Sequence, residues 1–279
     1  MDIAQPHALP AAEALALRYG ADQVPPAGPW NAHIALLLSH RSVRGYQPDA
    51  LPADTLRTLI AAAQSAATSS NLQTWSVIAV TDPDKKARLA TLANHQNHIE
   101  QCPLFLVWLA DISRNRRLGE QEGVTLETLP YQETFLVAAI DAALAAQNAV
   151  VAAESLGLST VYIGALRNNP TEVAKLVGLP PGAFAVFGLC VGYASAAGAA
   201  EVKPRLAQDA VVHHDVYDAS REPVLRAAYD ARMAAFSLRH GMAFDTWTRR
   251  VIGRMGKITA MSGRDKLVAT LHAMGFSLR

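Results

Sequence analysis

The sequence of 279 residues contains only two cysteines, Cys102 and Cys190, and its aromatic residues make up 6% of the chain. Two cysteines are too few to build a disulfide framework, so we expect the protein to occupy a reducing compartment. Both cysteines lie among apolar neighbours in the sequence. This context is typical of buried thiols that contribute only to packing.

The chain also lacks an excess of charge, with 25 Lys and Arg against 24 Asp and Glu. This balance provides no bulk attraction to nucleic acid or to an anionic membrane. The first residues lack the basic and apolar regions of a secretory signal. The longest apolar segment, 134–151, is interrupted by Asp141, Gln147 and Asn148. We therefore expect that segment to form a buried helix, in a cytoplasmic protein without nucleic-acid or membrane partners.

Several signatures of protein-based catalysis are missing as well. The histidines of 95–98 and 213–214 do not have the spacing of metal ligands. No Gly-x-Ser-x-Gly elbow, Walker A motif or dinucleotide fingerprint is present in the sequence. We therefore predict neither a metal site nor a catalytic nucleophile supplied by the protein.

What the chain does have is a high apolar content, 51%, arranged in alternating helical and strand-like patterns. A cluster of prolines and glycines at 24–29 predicts an N-terminal extension, 1–30, before the main domain, 31–279. Asn169 is predicted to be the N-cap of a helix. Strands are predicted over 75–81, 104–110, 160–163 and 183–193, and helices over 11–18, 31–39, 51–67, 82–93, 132–156, 169–177 and much of the chain after 223. The content is mixed α and β.

Cations beside small polar residues occur where helices and strands end. In the first such cluster, His40, Arg41 and Arg44 surround the hydroxyl of Ser42. These groups suit an anion, because guanidinium and imidazolium groups donate charge-assisted hydrogen bonds to phosphate or carboxylate oxygens. The alternative is a solvated helix C-terminus, where cations interact with the helix dipole.

Three further polar clusters follow along the chain. The hydroxyls and amides of 68–75 can bind the edge of a polar heterocycle, or they form an ordinary capping loop. Gly164, within 162–169, lets the backbone approach a flat ligand, or belongs to a tight turn. Lys203 and Arg205 flank a proline and suit a phosphate, or lie in an exposed loop. Together the clusters fit a ligand with a phosphate and a polar ring.

These clusters, taken in order, resemble the nitroreductase superfamily of FMN enzymes, and specifically its NADPH-dependent flavin reductase and oxygen-insensitive nitroreductase branch. The similar segments are 40–44 (His-Arg-Ser-Val-Arg), 69–73 (Ser-Ser-Asn-Leu-Gln), 96–98 (Gln-Asn-His), 146–168, 187–192 and 203–205 (Lys-Pro-Arg). The resemblance covers roughly residues 34–279. It implies an α+β sandwich with a central, mainly antiparallel sheet flanked by helices, built as an interwoven homodimer that binds FMN at the subunit interface.

The resemblance also implies which residues bind the cofactor. The implied FMN-binding residues are His40, Arg41, Ser42, Arg44, Thr68, Gln96, His98, Tyr162, Ile163, Gly164, Ala165, Lys203 and Arg205. Arg44 would face the pyrimidine end of the flavin, and Lys203 and Arg205 would bind the phosphate. Ala165 stands where close relatives often have a second glycine, and Thr68 replaces a serine while keeping the hydroxyl.

The implied activity is a ping-pong reaction in which NADPH or NADH reduces FMN and a small-molecule acceptor then takes two electrons. Nitroaromatics, quinones, azo dyes and free flavin are the implied acceptors, and the sequence does not identify the physiological one. Such chemistry needs no nucleophile from the protein, because the cofactor carries the reactivity. The alternatives are a flavin reductase that supplies reduced FMN to a partner, and a non-catalytic FMN-binding protein.

Two departures from the family pattern concern the electron donor and the N-terminus. Close relatives have arginines for the 2′-phosphate of NADPH before an Asp-Thr-Trp motif, whereas Ala243 and Phe244 occupy those positions here. Arg239 and His240 are the nearest cations in the sequence, so the preference between NADPH and NADH stays open. The extension, 1–30, has no counterpart in the pattern, and a surface helix that lengthens the dimer contact is its simplest interpretation.

Overall fold

The computed structural model describes residues 9–198 and 200–279, which divide into two compact units. The described part of the first unit comprises 42–198 and 262–279, and that of the second comprises 9–41 and 200–261. The domain division at residue 30 stays a prediction. In the structure, the helix of the extension belongs to the same unit as residues 200–261.

The first unit is organised by one antiparallel sheet. Its strands are β1 (Trp75–Val80), β2 (Leu104–Asp111), β3 (Ser159–Ile163) and β4 (Ala183–Gly192), in the order β1-β2-β4-β3. Every pairing in the sheet is antiparallel, and the register between β2 and β4 shifts once, between Trp108 and Leu109. The predicted α+β fold with an antiparallel sheet is confirmed.

Helices surround this sheet, and the second unit contains four of them. In chain order they are α1 (Ala11–Tyr19), α2 (Ala32–Ser39), α3 (Thr55–Gln64), α4 (Pro83–Leu92), α5 (His98–Gln101), α6 (Ser113–Glu122), α7 (Gln132–Ser155), α8 (Pro170–Val177), α9 (Glu222–Arg239), α10 (Trp247–Met255) and α11 (Leu267–Ala273). Helices α1, α2, α9 and α10 lie in the second unit, and the others lie in the first.

The central strand β2 is buried along its whole length, as its uninterrupted apolar sequence predicts. Successive side chains of a strand face opposite sides of the sheet. Phe105 and Val107 accordingly join a cluster with residues of α4 and α8, whereas Leu106 and Trp108 join a cluster with residues of α3 and α7. One strand thus supplies both layers of the core.

Helix α7 combines a buried face with an exposed apolar face. It has 24 residues, and a window of 18 residues with mean hydropathy 1.7 makes it long and apolar enough to cross a membrane, although 39% of that window is buried inside the protein. Ala145 and Ala149 are fully buried in the core. Leu136, Ile140 and Leu144 remain exposed and follow one another at intervals of four residues. The predicted burial therefore applies to one face of the helix.

The structure differs from the sequence predictions at three places. The helix predicted over 51–67 extends only over Thr55–Gln64, because Pro52 precedes it and Ser65 caps its C-terminus. Asn169 occupies the predicted N-cap position of α8, but its side chain makes no capping hydrogen bond, and its amide donates toward the Leu92 carbonyl at 3.4 Å. Helix α6 was not predicted, because its strongly polar sequence carries no apolar stripe that would indicate a helix.

Both cysteines are free and fully buried in the first unit, as the sequence predicts. Cys102 donates through its thiol to the Ile99 carbonyl at 3.3 Å. Burial raises the pKa of the Cys190 thiol. A protonated thiol is a poor nucleophile, so Cys190 contributes packing rather than chemistry.

The second unit has a smaller core, built on α9. Tyr229, Met233 and Phe236 are buried together, with Trp247 packed at the edge of the cluster. Helix α1 extends over Ala11–Tyr19, close to the predicted range.

Candidate functional site

The segment that follows Arg41 is fixed against the sheet of the first unit. Val43 is buried and donates its N–H to the Thr160 carbonyl of β3 at 3.0 Å. Ser42 forms an isolated bridge with Thr160, and the Gln47 N–H donates at 2.9 Å to a carbonyl just beyond the end of β4. Because Val43 faces the core, the next side chain, Arg44, is exposed.

The charge of Arg44 acts on His98 within the same unit. The pKa of His98 is lowered, first by burial and then by the positive charge of Arg44. His98 Nε2 is buried and has no hydrogen-bond partner among the described residues. Gln96, a half-buried residue, precedes α5 after a turn in which Asn94 and His95 take positive φ angles. The structure thus brings Arg44 near His98, two of the predicted FMN-binding residues.

The loop after Thr68 is anchored to helix α7 by Asp141. One oxygen of this buried carboxylate accepts the Ser69 N–H at 3.1 Å, and the other accepts the Thr74 N–H at 3.3 Å and the Thr74 hydroxyl at 3.0 Å. Within the loop, positive φ angles occur at Ser70, Asn71 and Gln73. A lone carboxylate in an apolar helix was the sequence signal for this anchor, because such a group is retained inside only when bonded.

At the end of β3, buried side chains flank one exposed ring, that of Tyr162. Ile163 and Ala165 are buried in the core. The Tyr162 ring packs edge-on against Phe187 with centroids 5.0 Å apart, and its hydroxyl donates to Gln147 Oε1 at 3.4 Å. Burial raises the pKa of Tyr162. A ligand beside this strand end would therefore meet peptide groups and the exposed Tyr162 ring.

Gly164 has a packing partner of its own, Arg167. A Cβ at Gly164 would lie 3.3 Å from an Arg167 guanidinium nitrogen. Arg167 donates to the Val186 carbonyl, and its pKa is lowered by burial first and then by the charge of Arg264. Glycine at position 164 thus leaves room for the Arg167 guanidinium, a packing reason that the sequence did not indicate. The contact of Gly164 with a ligand stays a prediction.

The remaining cations predicted to bind the ligand lie in the second unit. Arg18 of α1 is buried, and its guanidinium donates to the His40 carbonyl at 3.0 Å, to the Lys203 carbonyl at 3.0 Å and to the Leu38 carbonyl. The Arg18 side chain therefore binds backbone carbonyls of both segments, that of His40 and that of Lys203. Sequence reasoning missed Arg18, because nothing in the α1 sequence indicates its distant partners.

The segment 203–205 has further restraints in the second unit. The Tyr229 hydroxyl donates to the Pro204 carbonyl at 3.0 Å, and the Arg205 N–H donates to the Arg18 carbonyl at 2.9 Å. The Lys203 ammonium lies 5.9 Å from the centre of the Phe236 ring. Arg205 is exposed. Its guanidinium donates to the Lys203 and Pro204 carbonyls at 3.2 and 3.3 Å. A restrained backbone beside an exposed guanidinium suits a phosphate, which accepts charge-assisted hydrogen bonds.

Arg239 and His240, the cations considered for the electron donor, both face Glu201. Arg239 donates to Glu201 Oε2 at 2.9 Å, and His240 Nε2 lies 3.4 Å from the same oxygen. Hydrogen bonds from Arg239 and then His240 hold the pKa of Glu201 below its usual value. A second anion at this place would have to compete with the Glu201 carboxylate.

A cleft of about 720 Å³ opens in the first unit beside the anchored loop. Its lining residues come from the loop, β1, α3 and α6, and include Leu72, Trp75 and Arg114. The predicted FMN-binding residues do not belong to this lining. Within 9–198 and 200–279, no three His, Cys, Asp or Glu side chains come together as potential metal ligands.

Comparison with known proteins gives this geometry a context. Residues 37–193 match the Nitroreductase family, and residues 203–279 match the C-terminal domain of that family. The chain belongs to the nitroreductase family. The resemblance inferred from the sequence motifs is thereby confirmed. The family match begins after α1, so Arg18 precedes the region shared with the family.

Individual relatives are similar over most of their length. The chain is 37% identical to FMN reductase (NADPH) of Bacillus subtilis, over 81% of this chain and 92% of that protein. It is 35% identical to the oxygen-insensitive NADPH nitroreductase of Salmonella typhimurium, over 88% and 98%. The solved structure of NfrA2 from B. megaterium superposes with a TM-score of 0.83 at 39% identity, covering 90% of this chain and all of the other.

Proposed function

We propose that this protein is an FMN-dependent NAD(P)H oxidoreductase that delivers two electrons to small organic acceptors such as nitroaromatics and quinones. The observation that carries the proposal is the nitroreductase family match over 37–193 and 203–279. Relatives that share 35% and 37% identity with the chain are named as an NADPH nitroreductase and an NADPH-dependent FMN reductase.

The cations of the second unit fit the phosphate of FMN. His40, Arg41, Lys203 and Arg205 would bind this group, and Arg41 and Arg205 are exposed. The donor set is suitable, because phosphate oxygens accept short, charge-assisted hydrogen bonds from guanidinium and ammonium groups. These assignments rest on the sequence pattern and on the backbone restraints described above.

The polar residues of the first unit fit the ring system. Thr68, Gln96 and His98 would supply side-chain hydrogen bonds, and residues 162–165 would supply backbone groups. His98 Nε2 is a buried polar atom without a partner among the described residues, and such an atom is costly unless a ligand or water satisfies it. Ser42 and Arg44 follow the segment fixed to β3 and would approach the same ring.

The protein's contribution to the reaction is binding, orientation and charge. When bound, FMN would supply the redox chemistry by accepting two electrons from NAD(P)H and passing them to the acceptor. Arg44 provides a permanent positive charge. Burial and then the charge of Arg44 lower the pKa of His98, which favours the neutral imidazole, and this ring would offer FMN a hydrogen bond. No protein nucleophile or general base is required.

Residues of the second unit also bear on the electron donor. Arg239 and His240 both contact the Glu201 carboxylate, so a 2′-phosphate at this place would have to compete with Glu201 for them. We expect this arrangement to reduce the advantage of NADPH over NADH. The expectation depends on the donor binding near the residues that precede the Asp-Thr-Trp motif.

The exposed apolar face of α7 supports a homodimer. Leu136, Ile140 and Leu144 form a stripe on a helix whose other face is buried, and an exposed apolar stripe of this kind marks an interaction surface. We propose that a second copy of the chain covers this face of α7. We also propose that the protein is cytoplasmic. Sedimentation equilibrium should give twice the mass of the chain, and Ile140→Lys should shift that mass toward the monomer; a monomeric wild-type protein would contradict the proposal.

The activity is tested by anaerobic reduction. The purified protein should carry a flavin absorption band that NADPH or NADH bleaches rapidly in the absence of air, and a quinone should restore the band. A flavin that persists after the donor is added would identify a non-catalytic FMN-binding protein. If the protein neither contains nor binds FMN, the proposal is wrong.

A second candidate, a dedicated flavin reductase, is favoured by the name of the Bacillus subtilis relative. The two functions differ in the acceptor. Steady-state rates with nitrofurazone, menadione and free FMN separate them. A kcat/KM for free FMN well above that for menadione and nitrofurazone would favour the flavin reductase, whereas the opposite order would favour the general oxidoreductase.

A further inference from the structure

Helix α1 precedes the region matched by the nitroreductase family, yet one of its side chains reaches two segments of the proposed FMN site. We infer that Arg18 is a positioning residue, which holds the segments of His40 and Lys203 so that their cations bind the same phosphate. The inference rests on the proposed function, since it assumes that FMN is the ligand. It assigns a role to the N-terminal extension that a plain surface helix would not have.

The contacts of Arg18 define this role. One terminal nitrogen, Nη1, donates to the Lys203 carbonyl at 3.0 Å. The other, Nη2, donates to the His40 carbonyl at 3.0 Å and to the Leu38 carbonyl. The two segments are far apart in sequence, and a single planar group therefore fixes their backbones relative to each other. The flanking cations, Arg41 and Arg205, each belong to a segment fixed in this way.

The chemistry of arginine suits this function. A guanidinium group carries five N–H donors in a rigid plane, so it can bind several carbonyl oxygens in a defined geometry. Arg18 is only 7% exposed, and such burial of a cation is tolerated when hydrogen bonds replace the lost water. Lysine would keep the charge but would donate from a single nitrogen, without the planar fork. Methionine would keep much of the length and remove every donor.

The backbone of Arg18 and a residue of α9 complete the restraint. The Arg205 N–H donates to the Arg18 carbonyl at 2.9 Å, and the Tyr229 hydroxyl donates to the Pro204 carbonyl at 3.0 Å. Three consecutive residues, 203–205, are thus bonded to Arg18 or Tyr229. Helix α1 packs with its Ala14 side chain buried, only 2% of it being exposed. The proposed phosphate-binding segment has its conformation set before a ligand arrives, which lowers the cost of binding.

The experiment compares FMN with riboflavin, which has the same ring but no phosphate. Apoprotein is titrated with each flavin while the quenching of flavin fluorescence is followed. Arg18→Met should raise the Kd for FMN about tenfold, the loss expected from misplaced charge-assisted bonds, and the Kd for riboflavin by less than about twofold. Arg18→Lys should fall between the wild type and Arg18→Met. Arg88→Met, which removes an exposed charge from α4, is the matched control and should change neither Kd.

The outcomes separate this inference from the proposed function. If Arg18→Met weakens both flavins equally, or neither, Arg18 has only a structural role and the inference is overturned. If the wild-type protein binds neither flavin, the proposed function fails and the inference fails with it. Should Arg18→Met be shown by circular dichroism not to fold, Tyr229→Phe provides the second variant. It removes only the hydrogen bond to the Pro204 carbonyl, and it should also weaken FMN more than riboflavin; an unchanged ratio would overturn the inference.

Discussion

The two units of this protein are stabilised in different ways. In the first unit, a fully buried apolar strand, β2, separates two clusters of core residues, and candidate residues such as Ser42 are positioned by pairing with the sheet. In the second unit the apolar core is small, and the segments with the candidate phosphate ligands are held by hydrogen bonds from Arg18 and Tyr229 to backbone carbonyls. Apolar packing therefore determines the scaffold of the first unit, whereas directional bonds determine the proposed anion-binding segments of the second.

The largest effect is expected where the first unit depends on packing. Phe105→Ala should lower the free energy of unfolding by about 3–5 kcal/mol, because the ring is fully buried and its removal leaves a cavity. Phe236→Ala in the second unit should cost less, since its smaller cluster can collapse more easily around the missing ring. Urea denaturation followed by circular dichroism measures both. Equal losses would contradict the contrast between the units.

A polar restraint also exists in the first unit, at Asp141. Asp141→Ala should lower the free energy of unfolding by about 2–3 kcal/mol, because the buried Thr74 N–H and hydroxyl lose their acceptor. Glu133→Ala, at an exposed position of the same helix, is the control and should change stability little. The same urea titration applies. A stability unchanged by Asp141→Ala would show that the loop after Thr68 does not depend on this anchor.

Removal of the two candidate phosphate-binding cations of the second unit should change the affinity for FMN rather than the stability of the protein. Lys203→Ala and Arg205→Ala should each weaken FMN binding by about 1.5–3 kcal/mol, the range for charge-assisted hydrogen bonds, while the melting temperature of the apoprotein changes little. Lys85→Ala removes an exposed cation from α4 and serves as the control. The measurement is a fluorescence titration with FMN. If neither variant loses affinity, these two residues do not bind the phosphate.

The smallest effect concerns the electron donor. Glu201→Gln should raise the ratio of kcat/KM for NADPH to that for NADH by a few fold, because an exposed ion pair of the kind Arg239 makes contributes only about 0–1 kcal/mol. Steady-state kinetics with both donors give the ratio. A ratio that stays constant would show that the donor's 2′-phosphate does not approach this cluster.

Much of the first unit was predictable from the sequence, because its elements follow simple periodicities. The uninterrupted apolar run of β2 predicted a buried strand, and the helix predicted over 169–177 corresponds to α8, which ends before Gly178, a residue with a φ of 70°. The family motifs predicted the fold and the kind of enzyme. Helix α6 was not predicted, because its polar sequence has no apolar stripe. Asn169 stands at the predicted N-cap position of α8, but its side chain makes no capping hydrogen bond.

The restraints on the candidate site were not predictable in the same way. Arg18, Asp141 and Arg167 act through bonds to residues far away in sequence, and periodicity reports only which face of an element is apolar. Each of them is a polar residue within or beside an apolar segment. That mismatch marks a buried polar group in need of partners, but it does not identify the partners.

The central claim is that the chain binds FMN and that cations provide much of the affinity through the phosphate. The most direct test is a pair of titrations of the wild-type apoprotein, one with FMN and one with riboflavin, in the same buffer. The account predicts saturable binding of one FMN per chain, with riboflavin about 100-fold weaker or more, as expected for loss of charge-assisted bonds worth roughly 3 kcal/mol. Equal affinities for the two flavins, or no saturable binding of FMN, would contradict it.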